Sequence, residues 1–487
     1  MEDVIKRLAN KVYINNEYVP SVSGKNITVV NPATEQIVSS DVAAAGSDDL
    51  DKAVAAAEAA FEPGSPWRNM TAAQRCHCLW KLAELLNEPE NAETIARLES
   101  VSFGKPYSTL VKNDIGNAAN QFRYFAGWCD KINGDFQNSD QGFTRIVKRE
   151  PVGVSAAIIA WNGPTVSIAM KAGPCLASGS VMILKPSEKT PLGALFIADL
   201  FRQAGFPPGV FQVLPGDGSL GALISSHMRI RKVSFTGSVP VGKKIQEAAA
   251  KSNLKRVTLE LGGKSPVVIC DDANLDNAAL WSAMAITLNS GQYCIAGSRV
   301  YVQDGIYDTF VEKYLQNIKQ MSSRMGDPSD PQTTYGTVAD KLQYDRVNGY
   351  IAAGKEEADI LTGGSLSDKG YFVEPTVFAN PKKDAKVYKE EIFGPVAVVK
   401  RFHSDDEVIQ LANDTEYGLM ASVFTTNLGR GARLCNAIEA GTVCLNTSLM
   451  ISVKAPFGGV KQSGYGSEGG LESVLAYTVV KTIVVKD

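Results

Sequence analysis

Between residues 151 and 262, short apolar runs alternate with helical stretches, a pattern that few folds accommodate. Val154 to Ala160, Val181 to Leu184, Val210 to Leu214, Lys232 to Phe235 and Arg256 to Leu259 read as strands. Val166 to Leu176, Leu192 to Ala204, Leu220 to His227 and Val241 to Ala250 read as helices, and Gly205 suits a helix stop. Strands apolar on both faces and joined by helical crossovers pair in parallel, with helices covering both sides. The expected fold is therefore α/β, built on a doubly wound parallel sheet. Earlier, Ser47 and Ala72 open two packing helices, the second running towards a break at Gly104-Lys105-Pro106.

Ligands of such a sheet bind beyond the carboxyl ends of its strands, which singles out five loops. They carry Trp161-Asn162, Lys185-Pro186-Ser187-Glu188, Gly216-Asp217-Gly218, Thr236-Gly237-Ser238 and Glu260-Leu261-Gly262-Gly263. The run Phe235 to Gly242 is a strand turning through glycine into a helix, where free N–H groups favour a phosphate. Its Gly-x4-Gly spacing is not the usual dinucleotide fingerprint, and a plain strand-to-helix turn uses the same residues. Lys185 and Glu188 can donate to and accept from ribose hydroxyls, and a carboxylate there disfavours a 2′-phosphate. That points to NAD, with Lys189 keeping NADP open; a solvated helix start is the plainer alternative. Glu260 ends an apolar strand, where partial desolvation would make it a general base, unless Lys264 simply pairs with it. The Asn162 amide is either an oxyanion donor or part of a surface turn.

Cys294 lies between Gly291 and Gly297, which reads as an accessible nucleophile or as a small buried hydrophobe. With three histidines in the chain, a carboxylate is the more natural base, and zinc sets are short of ligands, so no metal is expected. The eight cysteines show no framework spacing, and the N-terminus has no apolar leader, so a cytoplasmic location is expected. Forty-nine basic against 52 acidic residues, without long runs of one sign, offer nothing to nucleic acid or a membrane. The segment beyond 263 reads as a second α/β unit. The β-branched tail Tyr477 to Lys486 would be an aggregation edge if unpaired, so it is expected to pair with another subunit's sheet.

Four strings together resemble the aldehyde dehydrogenase superfamily, and the similarity spans essentially the whole chain. They are Thr258-Leu259-Glu260-Leu261-Gly262-Gly263-Lys264-Ser265-Pro266, Gly291-Gln292-Tyr293-Cys294-Ile295-Ala296-Gly297-Ser298-Arg299, Glu390-Glu391-Ile392-Phe393-Gly394-Pro395 and Pro456-Phe457-Gly458-Gly459-Val460-Lys461. Tyr13 to Glu17 and Asn31 to Thr34 look like the cytosolic and mitochondrial NAD-dependent branch. The resemblance implies Cys294 as nucleophile, Glu260 as base, Asn162 with the Cys294 N–H as oxyanion hole, and Glu468 in proton relay. It implies a cofactor site at Trp161, Lys185, Glu188, Gly218, Thr236, Gly237, Ser238, Val241, Gly242, Leu261, Gly262, Glu391 and Phe393. It also implies a dinucleotide-binding domain (1–131 and 151–262), a catalytic domain (263–474) and a small β oligomerisation arm (132–150 and 475–487) of a homodimer or homotetramer. The implied reaction oxidises an aldehyde to the acid through a thiohemiacetal and a thioester on Cys294.

The chain departs from the family where substrates enter. Ala160-Trp161-Asn162-Gly163-Pro164 lacks the usual phenylalanine after asparagine, Met170 stands where tryptophan is common, and Leu288 and Ile451 stand where aromatics are frequent. Gly163 and Ser167 should widen a tunnel also lined by Met170, Leu288, Tyr293, Ile295, Ile451 and Phe457. A bulky, apolar or aromatic aldehyde is therefore expected. A CoA-acylating enzyme is one alternative, and a non-catalytic protein retaining the fold is another.

Overall fold

The computed structural model of the chain describes residues 1–365 and 367–487, the side chains of Val111 and Lys112 excepted. All five expected strands form, as Val154–Ile158, Val181–Lys185, Phe211–Val213, Lys232–Thr236 and Arg256–Glu260. They pair in parallel in the spatial order fifth, fourth, first, second, third. The helices Pro164–Ala177, Pro191–Gln203, Gly218–Ser226 and Val239–Lys251 connect them. Strand order reverses beside Val154–Ile158, so the loops after the first and fourth strands open at the switch point where ligands seat. The strands are buried along nearly their whole length, as continuous apolar runs in a two-sided sheet require.

The sheet extends beyond the five expected parallel strands. It has eight strands, and antiparallel pieces close both edges. At one edge the hairpin Lys11–Ile14 and Glu17–Pro20 attaches through Tyr13 opposite Val213. Its two-residue turn holds Asn15 and Asn16 at φ 56° and 66°, the left-handed geometry that twists a tight hairpin correctly. At the other edge, Gly464–Tyr465 pairs with Leu259 and Glu260. A segment 200 residues downstream thus fixes the end of the strand that carries Glu260.

The second half of the chain forms a seven-stranded sheet, parallel except for the edge strand Asp359–Thr362, with its own buried cores. Two smaller sheets remain: the pair Lys25–Val30 and Ile37–Ala44, and a three-stranded sheet of Asp135–Asp140, Phe143–Pro151 and Thr478–Lys486. One edge of the tail strand is paired within the same chain. Thr478–Lys486 pairs antiparallel with Phe143–Pro151 from Thr478 opposite Pro151 to Lys486 opposite Phe143. Its outer edge stays open, with Val480, Val484 and Val485 exposed. Among the described residues no helix is long and apolar enough to cross a membrane.

Candidate active site

The Cys294 loop is built from backbone conformations that need support. After the helix Leu275–Thr287, Asn289, Ser290 and Gly291 all adopt left-handed φ, at 51°, 53° and 70°. For each non-glycine residue this costs about 1–2 kcal/mol. The surroundings hold it. The Gln292 side chain is fully buried, donates to the Asn289 and Thr337 carbonyls and accepts from the Ala339 N–H. A Cβ on Gly291 would stand 2.3 Å from the Gly394 oxygen, and one on Gly263 would stand 2.2 Å from the Cys294 oxygen. Three of the four sequence strings therefore meet here, glycine against backbone.

Cys294 itself is half-buried rather than openly exposed. Burial, with added repulsion from Glu391 and Glu260, pushes its thiol up to about 12. The resting sulfur is protonated and needs a base to become a nucleophile.

Glu260 is 4% exposed, and neither carboxylate oxygen has a hydrogen-bond partner among the described residues. Burial and the nearby Glu468 hold its pKa well above the ordinary carboxylate range, opposed only by Lys171. The alternative of an ion pair with Lys264 fails, because the Lys264 ammonium donates to the Val387 carbonyl at 2.9 Å. Glu468 is buried and paired with Lys171, whose ammonium also donates to Ser234 at 3.0 Å. Asn162 donates its amide to the Gln292 carbonyl at 3.0 Å, which ties it to the Cys294 loop and leaves one amide proton available. It is not a surface turn.

Cys294, Glu260, Asn162 and Glu468 line one cavity of about 290 Å3. All eight residues expected in the substrate tunnel line it too: Gly163, Ser167, Met170, Leu288, Tyr293, Ile295, Ile451 and Phe457. Lys105, Asp114, Asn117, Val166 and Leu449 also line it but were missed in sequence. A lysine inside the Gly104-Lys105-Pro106 break was the one legible sign of that polar group.

Around the switch point, Lys185 is 4% exposed at its strand end, with its ammonium 3.8 Å from the Glu188 carboxylate. Lys189 is committed elsewhere, pairing with Asp340 at 2.7 Å and lying over the Trp161 ring at 4.9 Å. The helix Val239–Lys251 begins at Ser238 without a side-chain cap, which leaves its first N–H groups free. A Cβ on Gly237 would meet the Phe235 ring at 2.4 Å, and one on Gly242 would meet Leu261 at 2.7 Å. Leu261 is therefore packed beneath the helix, and Val241 is exposed on it. The helix that Gly218 opens differs from its neighbour, because Asp217 already caps it through Ser219. Glu391 accepts from the Gly263 N–H at 2.9 Å and would touch any Cβ on Gly262, and Phe393 stands edge-on to Trp161 at 5.4 Å. Thr236 lines the Cys294 cavity itself.

A profile described as "Aldehyde dehydrogenase family" matches residues 18–483. Human aldehyde dehydrogenase 1A1 is 47% identical over 479 residues, covering 98% of this chain and 95% of the relative. The NAD+ complex of an aldehyde dehydrogenase from Bacillus cereus superposes with a TM-score of 0.94 at 43% identity, covering 99% of this chain and 98% of the other. An indole-3-acetaldehyde dehydrogenase complexed with NAD+ gives 0.95 at 38% identity, covering 100% and 99%.

Proposed function

The chain belongs to the aldehyde dehydrogenase family, and from that premise we propose that it oxidises a bulky aldehyde to its carboxylic acid with NAD and water, Cys294 carrying the acyl group. The observation that carries this reading is the shared cavity of Cys294, Glu260 and Asn162, with Glu260 buried and unpartnered.

The residues present fit NAD. The Lys185–Glu188 pair matches a ribose diol, the uncapped Val239–Lys251 helix matches a diphosphate, and the Glu391 carboxylate passes over Gly262. Because Lys189 is bound by Asp340, it is not free to offset the repulsion between Glu188 and a 2′-phosphate, which favours NAD over NADP. When bound, NAD supplies the hydride acceptor.

The chain's own residues do the rest. Glu260, once deprotonated, takes the Cys294 proton, directly or through water, and the thiolate adds to the aldehyde carbon. The free Asn162 amide proton and the Cys294 N–H, which makes no backbone hydrogen bond among the described residues, stabilise the oxyanion. Glu260 gives up the Cys294 proton along a buried route offered by Glu468 with Lys171, and after oxidation to the thioester it removes a proton from the attacking water. Glycine and small side chains at 163 and 167 leave room for a large substrate, since a Cβ on Gly163 meets nothing within 4 Å. Residues 1–131 with 151–262 serve as the cofactor domain, 263–474 as the catalytic domain, and 132–150 with 475–487 as an arm. The open edge of that arm, with its exposed valines, supports self-association. Incubation with a graded aldehyde panel and NAD tests the proposal: NADH and free acid should form, fastest with large apolar aldehydes. A strong acetaldehyde preference, or formation of acyl-CoA in place of acid, would contradict it.

A further inference from the structure

The cavity wall beside the nucleophile is polar. The Tyr293 hydroxyl accepts from the Lys105 ammonium at 3.1 Å, and that ammonium pairs with Asp114 at 2.5 Å. Lys105 is 2% exposed and Asp114 8%, so each charge is kept out of water by its partner. The chain is shaped for this contact. Gly104, at φ 79°, ends the helix Pro89–Phe103 in a left-handed turn immediately before Lys105. Asp114 rides on a π-helical turn, Leu110–Ile115, a geometry frequent at functional sites.

With Lys105 occupying a lone pair of the phenol oxygen, the Tyr293 O–H proton has no acceptor among the described residues, and the side chain lines the cavity. A phenol so held is a fixed donor waiting for an acceptor. Much of the remaining lining, such as Val166, Leu288 and Phe457, is apolar.

Resting on the aldehyde oxidation proposed above, we propose that Tyr293 is a specificity-determining residue that donates to a neutral oxygen on the body of the substrate. The preferred aldehydes then carry a hydroxyl or ether oxygen on an apolar, aromatic frame. Lys105 and Asp114 position the phenol, and because their charges cancel they hold no surplus positive charge for a carboxylate. A site built around a buried hydrogen-bonding group discriminates against analogues lacking the partner more sharply than an apolar wall does.

The test compares kcat/KM for benzaldehyde with its 2-, 3- and 4-hydroxy, methoxy and carboxy derivatives, in the wild type and in Tyr293→Phe. At least one hydroxy or methoxy position should exceed benzaldehyde by about tenfold, the scale of one net hydrogen bond, and Tyr293→Phe should remove that gain. The ratio is taken within each enzyme, so a general loss of activity cancels. The proposal falls if no oxygen-bearing ring exceeds benzaldehyde, if the gain survives in Tyr293→Phe, or if a carboxybenzaldehyde ranks highest. Absence of NADH with every aldehyde, small ones included, would instead overturn the oxidation reading itself.

Discussion

Gly263 and Cys294 meet backbone to backbone: a methyl group on Gly263 would stand 2.2 Å from the Cys294 carbonyl oxygen. The end of the Glu260 strand and the Cys294 loop therefore hold each other in place. Gly263→Ala should cost about 10²-fold in kcat/KM by displacing the thiol. Steady-state kinetics on the folded variant checks this, and an unchanged rate would show that the contact does not position the sulfur.

Cys294→Ala should abolish turnover, by about 10³-fold or more, while NAD binding persists, because the cofactor residues lie on other loops. Fluorescence titration with NAD beside an activity assay separates the two effects.

Glu260→Gln should lower the steady-state rate by about 10²–10⁴-fold, with hydrolysis of the thioester hit hardest. Stopped-flow should show a residual NADH burst followed by slow turnover. In the wild type the base form of Glu260 exists only above its raised pKa, so activity should climb with pH beyond the usual carboxylate range. The variant should lack that limb; retention of the limb would assign it to another group.

Glu188→Gln should weaken NAD by about tenfold or more, the worth of a hydrogen bond to a charged group, and narrow its preference over NADP. Parallel Kd measurements for the two cofactors give the ratio, which should stay unchanged if Glu188 only salt-bridges Lys185.

Gly163→Phe should cut kcat/KM for a bulky aryl aldehyde by about tenfold or more and spare acetaldehyde, since a side chain there enters open space. Equal losses on both substrates would mean that position 163 does not size the tunnel.

Lys264 offers a stability test. Burial, with Arg299 nearby, lowers its pKa to about 7, below that of a free lysine. Between those values the unfolded chain binds the extra proton, so the wild type gains stability as pH rises from 7 to 10, and below 7 the penalty is full. Melting curves should show the wild type gaining on Lys264→Met over that interval, and a constant gap would mean that the lysine is not buried charged.

The alternation of apolar and helical runs made the five central strands legible almost to the residue, because a two-sided parallel sheet buries whole segments and periodicity records burial. Cys294, Glu260 and Asn162 stood out as candidates for a chemical reason, each being a reactive group beside glycine or at a strand end, and the structure brings them to one cavity. The polar wall was not. Tyr293 was expected in the tunnel, but Lys105 and Asp114 lie up to 188 residues away from it and singly look like ordinary charged residues. Likewise Tyr477 to Lys486 announces a strand but not its partner, and the structure pairs it with Phe143–Pro151 of the same chain.

By itself, then, the sequence determined what local patterning controls: the layers of the α/β fold, the loops at its switch point, and the thiol and carboxylate proposed to carry the chemistry. The tertiary structure alone decided what depends on distant chain segments meeting. It left Glu260 without a partner by turning Lys264 towards Val387, committed Lys189 to Asp340, and set a phenol held by an ion pair into the tunnel wall. Desolvation and pairing depend on three-dimensional neighbours, and no spacing along the chain encodes them.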